Sequence, residues 1–90
     1  MGVAIYFNPP SMNEGQYRAV VADLEKNGAW PPEGLVHHSC FGADDNLMVY
    51  EVWEDQAALD AFGQRLMPLL AAHKLDPGEP AVMPVVNVLP

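Results

Sequence analysis

The extended segments of this chain are apolar on both of their faces. Val3-Ala4-Ile5-Tyr6-Phe7 carries Val3, Ile5 and Phe7 on one side but Ala4 and Tyr6 on the other, and the last apolar run sets Val82, Val86 and Val88 against Met83, Val85 and Leu89, since successive strand residues point to opposite faces. A sheet with helices on one face and water on the other alternates apolar with polar instead. Two crossovers of the usual right hand place both helices on the same face, so the opposite face needs another cover. A second copy packed sheet to sheet about a two-fold axis provides it. Covering about 500 Å² of apolar area per subunit contributes about 12 kcal/mol before association costs. A homodimer is therefore expected.

Ninety residues suit one domain, taken as 1–90, and a chain this short gains from association because its own core is small. Half of the residues are hydrophobic and 18% are charged, which excludes a disordered tail. The net charge of −8, with Arg18, Lys26, Arg65 and Lys74 scattered singly, argues against nucleic acid and anionic membrane as partners, because both require clustered cations. The lone Cys40 allows no internal disulfide, and no Cys/His array announces zinc. Met1 to Phe7 lacks the basic segment and long apolar run of a signal peptide, and no run approaches the roughly 20 apolar residues of a membrane span. A cytoplasmic location is expected.

The order reads βαββαβ. Val3 to Phe7 is a strand stopped by Asn8-Pro9-Pro10. Ser11 or Asn13 caps a helix to Lys26, in which Tyr17, Val20, Val21 and Leu24 form the apolar stripe and Asn27-Gly28 provides a left-handed stop. After the stiff Trp30-Pro31-Pro32 connector, Leu35 to Phe41 and Leu47 to Trp53 form a hairpin around Gly42 to Asn46. Asp55 caps a second helix whose stripe runs through Leu59, Phe62, Leu66, Leu69 or Leu70 and His73, with a kink or split expected at Pro68. Ala81 to Val88 is the last strand, with Pro84 marking an edge or a bulge. The fold class is α+β, ferredoxin-like, with a four-stranded antiparallel sheet and two helices on one face.

Glu51-Val52-Trp53-Glu54-Asp55 leading into Ala58-Leu59, Phe62 and Arg65-Leu66-Met67-Pro68, with Gly34-Leu35-Val36-His37-His38 before the hairpin and Pro84-Val85-Val86-Asn87-Val88-Leu89 at the end, resembles the dimeric α+β barrel superfamily. The nearest likeness is to small antibiotic-biosynthesis-monooxygenase-like proteins. The resemblance implies a sheet-to-sheet dimer. It also implies one of several chemistries: cofactor-free monooxygenation, haem degradation, cyclisation, dehalogenation, decarboxylation or ligand sensing. The site decides among these, not the fold. Where relatives often carry a histidine near the end of the last strand, this chain has Val86.

His37 and His38 are adjacent on one strand and point to opposite faces, so at most one enters a given cavity. His38 matches the histidine that the resemblance places after Gly-Leu, and is expected as a base or orienting donor. Glu51 shares a strand face with Trp53 and is expected as a second proton carrier that edges a cleft or pairs across the dimer, since a buried carboxylate needs a partner. Tyr6, His37, Tyr50, Trp53 and His73 are candidate ligand contacts. Packing is the stronger explanation of Trp53 and the ordinary one of Tyr6 and Tyr50, and a helix C-terminus explains His73. The resemblance also sets His73 beside the axial ligand of haem-degrading relatives and Asn8 beside their asparagine, but their helix tryptophan would fall near Gly63, so no haem is expected. His38 and Cys40 share a face but offer a metal only two ligands.

The leading expectation is a cleft between the inner sheet face and the helices for a small apolar or aromatic oxygenated molecule, with no cofactor and acid/base chemistry of a monooxygenase, cyclase or isomerase kind. The segment around Pro68 and the Trp30-Pro31-Pro32 connector are candidates for its rim. The alternative is a non-catalytic homodimeric binding or interaction module.

Overall fold

The computed structural model describes residues 2–90. Strand β1 (Val3–Phe7), helix α1 (Glu14–Lys26), strands β2 (Leu35–Phe41) and β3 (Met48–Trp53), helix α2 (Gln56–Ala72) and strand β4 (Ala81–Pro84) follow in that order. The strands form one antiparallel sheet in the order β2-β3-β1-β4. This is the expected ferredoxin-like arrangement.

Residues directly opposite one another across a ladder share a face. Val3 pairs with Trp53, Ile5 with Glu51 and Phe7 with Val49, and Leu35, His38 and Cys40 stand opposite Trp53, Glu51 and Val49. All of these residues face the helices. Ile5, Val49 and Trp53 pack there with Val20 and Leu24 of α1 and Leu59, Phe62 and Leu70 of α2 into one core.

Local chemistry sets the helix ends. Asn13 caps α1 in a capping box: its side chain accepts from the Gln16 N–H while the Gln16 side chain accepts from the Asn13 N–H. Beyond the C-cap Asn27, Gly28 takes the left-handed φ of +69° that ends the helix without a Cβ clash. The Asp55 side chain accepts from the Ala58 N–H at the start of α2. Gly34 (φ +88°) lies so close to α2 that a Cβ there would stand 2.5 Å from Cβ of Ala58.

Two expectations are corrected. Of the kink or split expected at Pro68, the split is absent: helix α2 continues through the proline, which removes only one N–H donor. Strand β4 ends at Pro84 instead of Val88, because Pro84 already stands opposite Val3, the first residue of β1. The Val85 N–H donates to the Gly2 carbonyl at 3.0 Å just beyond the strand. Val86 and Leu89 are then 90% and 78% exposed. On the sheet face away from the helices, Phe41, Tyr50 and Met83 are exposed as well.

Candidate functional site

The inner face of the hairpin depends on an irregularity in β2. Leu35 pairs with Trp53, but His37 pairs with Val52, so Val36 is an extra residue on β2. Without this bulge, strict alternation from Leu35 would turn His37 towards the helices; with it, Leu35 and His38 share the inner face. His38 then stands directly opposite Glu51.

The pair is closed, with Glu51 buried and His38 partly buried. His38 Nδ1 lies 2.7 Å from Glu51 Oε2, and the Trp53 indole N–H donates to Glu51 Oε1 at 3.1 Å. Glu51 is 3% exposed. A carboxylate removed from water in this way needs compensating donors, and here both come from its own chain. Indole nitrogen only donates and a carboxylate only accepts, so the network assigns the His38 proton to Nδ1. Nε2 then carries the lone pair. It faces the Tyr17 hydroxyl of α1 at 2.6 Å, and the Tyr17 O–H donates to it. The Tyr17 and His38 rings lie 10° from parallel, while Trp30 meets the imidazole edge-on with centroids 4.9 Å apart.

Tyr17, His38 and Glu51 are the titratable side chains along a cavity of ≈ 70 Å³ between the sheet and both helices, whose other walls include Phe7, Val20, Trp30, Phe62, Leu66 and Leu70. A groove of ≈ 420 Å³ between α2 and the β1–β4 edge shares Phe7, Glu51, Phe62 and Leu66 with it. Burial pushes the Tyr17 hydroxyl pKa above its ordinary value of 10.0, with the nearby Cys40 and Glu51 adding to the effect. Tyr17 therefore keeps its proton at neutral pH.

Of the candidates read from the sequence, His38, Glu51 and Trp53 come together, although Trp53 is wholly buried and supports the carboxylate without lining the cavity. Tyr6, His37 and Tyr50 lie on the opposite sheet face: the Tyr6 hydroxyl donates to Met48 Sδ at 2.9 Å, and the His37 and Tyr50 ring centroids are 6.0 Å apart. They are not walls of this cavity. His73 caps α2 and its Nε2 lies 2.6 Å from Asp23 Oδ2 of α1, so it joins the helices and also stands outside the cavity. Glu51 lines the cavity, and both of its hydrogen-bond donors come from its own chain.

Sequence reasoning missed Tyr17 and gave Trp30 no more than a place at the rim. The signal for Tyr17 was its place on an otherwise aliphatic stripe: a buried tyrosine hydroxyl needs a polar partner, and His38 and Glu51 are the polar side chains turned inwards on the facing strands.

No family model and no curated protein matches the chain. Solved structures do. A candidate antibiotic biosynthesis monooxygenase from Chloroflexus aurantiacus J-10-fl is 15% identical at a TM-score of 0.69, with 100% of this chain and 98% of that one covered. A mutant form of SnoaB, a cofactor-independent oxygenase from Streptomyces nogalater, is 17% identical at 0.67, covering 99% and 96%. A candidate antibiotic biosynthesis monooxygenase from Deinococcus radiodurans is 8% identical at 0.62, covering 100% and 97%. At these identities the likeness is one of fold, and the chain has the antibiotic biosynthesis monooxygenase fold.

Proposed function

We propose that the cavity between the sheet and the two helices takes up a small apolar or aromatic oxygenated molecule, and that the protein acts on it by cofactor-independent acid/base chemistry of a monooxygenase, cyclase or isomerase kind. The observation that carries this reading is the Glu51–His38 pair, 2.7 Å apart and at the wall of an apolar cavity that both residues line. An imidazole whose Nδ1–H is held by a carboxylate has a basic Nε2 in a fixed direction, the arrangement that general-base catalysis uses once the Tyr17 hydroxyl that fills this position at 2.6 Å gives way. SnoaB, a cofactor-independent oxygenase with the same fold, supports chemistry of this class without a cofactor.

The working unit is proposed to be a homodimer in the cytoplasm. Phe41, Tyr50 and Met83 on the outer sheet face, together with the exposed Val86, Val88 and Leu89, are apolar surface that a second copy would cover. The free thiol of Cys40 suits a reducing compartment. Among the described residues, no helix is long and apolar enough to cross a membrane.

Phenol titrated into the protein while the His38 ring signals are followed by NMR tests the reading. Saturable shifts are expected, and in His38→Ala phenol binding followed on the Tyr17 and Trp30 ring signals should weaken. A second reading, a non-catalytic dimeric module whose cavity is filled by its own side chains, is favoured by the small free volume, about half of the ~150 Å³ that admits benzene in an engineered cavity. No shift at any phenol concentration would establish that reading.

A further inference from the structure

The polar side chains along the inner cavity spend their protons on one another. The Tyr17 O–H donates to His38 Nε2, the His38 Nδ1–H donates to Glu51 Oε2, and Glu51 Oε1 accepts from the Trp53 indole. Among the described residues, no buried side-chain nitrogen or oxygen lacks a hydrogen-bond partner. The surface that this leaves open to the cavity is apolar and comes from such residues as Val20, Trp30, Phe62, Leu66 and Leu70. A water molecule is held in a buried space by about two to four polar partners, and here it finds no free donor. An anion finds no cation either, since neither lysine nor arginine lines the cavity. Side chains around a void lose their dispersion contacts on that side, and a neutral apolar guest of a few atoms restores them without requiring a hydrogen bond.

We propose that this inner cavity is a binding site for a small apolar gas, with dioxygen as the guest. The engineered cavity that takes benzene or xenon has ~150 Å³. This one, at ≈ 70 Å³, holds a molecule of two atoms whole and a substituted ring only in part. The ring has its room in the ≈ 420 Å³ groove, which shares Phe7, Glu51, Phe62 and Leu66 with the cavity. Gas and ring thus stand on either side of the same side chains, as the two reactants of an oxygenation require. The gas site goes beyond the uptake of an organic molecule and does not rest on it, because the gas needs only the apolar space.

Xenon and dioxygen are the probes, and methyl NMR signals are the readout. Xenon pressure should shift the methyl signals of Val20, Leu66 and Leu70 saturably. Paramagnetic dioxygen should broaden the same signals several-fold more than those of Val52, which is buried like Val20 and Leu70 but belongs to the outer sheet face. Val20→Ile and, separately, Leu66→Phe add atoms at the wall of the cavity and should each remove the xenon shift on the wall residues left unchanged, while an unaltered Val52 signal shows that the fold is kept. Equal broadening at Val52 and at the cavity methyls overturns the proposal, because the gas then dissolves in the core at large. No xenon shift in the wild type, or a shift that survives both variants, overturns it as well. Phenol shifts without gas shifts would remove the gas site and leave the organic ligand; gas shifts without phenol shifts would do the reverse.

Discussion

Trp53 and Glu51 stand two residues apart on the inner face of β3, and the indole N–H of the wholly buried Trp53 donates to the carboxylate at 3.1 Å. The core tryptophan thus supplies a counter-donor for the buried charge as well as packing against Phe62. Glu51→Ala leaves the Trp53 and His38 N–H groups facing an apolar space and is expected to cost about 3 kcal/mol, on the scale of breaking a buried pair. Glu51→Gln keeps the shape and one acceptor and is expected to cost about 1–2 kcal/mol. Urea unfolding at one fixed protein concentration checks both, since a dimer's stability depends on concentration.

Stability should fall in alkali. Burial raises the pKa of Cys40 above its ordinary 9.0 and of Tyr17 above its ordinary 10.0. Both groups are neutral when protonated, so the folded state holds these protons more tightly than the unfolded chain does. Their contribution is fully present below the unfolded values and is lost as pH rises through the folded ones. The urea midpoint should therefore decline once pH passes 9.0, and in Cys40→Ser the onset should move towards 10.0. Alkylation of Cys40 at pH 8 should be slower in the folded protein than in urea, because the thiolate is the reactive form.

The elements were legible because their signals are local. Val3 to Phe7 and Leu35 to Phe41 are strands over the residues that β-branched and aromatic content indicated, and Asn13, Gly28 and Asp55 act at the helix ends where their side chains or missing Cβ predicted. The site was only half legible. His38 and Glu51 were visible as unusual residue types on strands, but the bond between them requires the register of two strands, and that register is set by the bulge at Val36. Tyr17 comes from a helix 21 residues before His38, and its role appears only once α1 is packed on the hairpin. The strand at Ala81 was overextended because hydropathy reports apolar residues without reporting whether a partner strand remains to pair with them.

His73 offers a contrast with the buried pair. Its bond to Asp23, at 2.6 Å, joins helix ends 50 residues apart, but both side chains are partly exposed. A double-mutant cycle of His73→Ala and Asp23→Ala should give a coupling of about 0.5–1 kcal/mol, as water-screened pairs do. Neither change should alter uptake of phenol. A loss of uptake in His73→Ala with Asp23 intact would return His73 to the ligand site.

Removal of Val36 tests what the bulge does. The residue is 53% exposed, so little apolar burial is lost with it. Leu35 already stands opposite Trp53, and His37 and His38 stand opposite Val52 and Glu51; taking out the extra residue joins Leu35 to His37 in regular alternation and leaves every one of those pairings in place. The deletion should therefore retain the His38–Glu51 bond, visible as an unchanged Nδ1-bound proton in the NMR spectrum, and should cost no more than about 1 kcal/mol, within the range of surface changes and single-residue backbone adjustments. Deletion of His37 instead retains Val36 opposite Val52 and also keeps His38 opposite Glu51, so it too should preserve the bond. An inserted alanine between His37 and His38 displaces the histidine by one position to the outer face and should abolish it. Loss of the bond in the Val36 deletion would mean that the strain of the bulge, and not the ladder register, holds His38 in place.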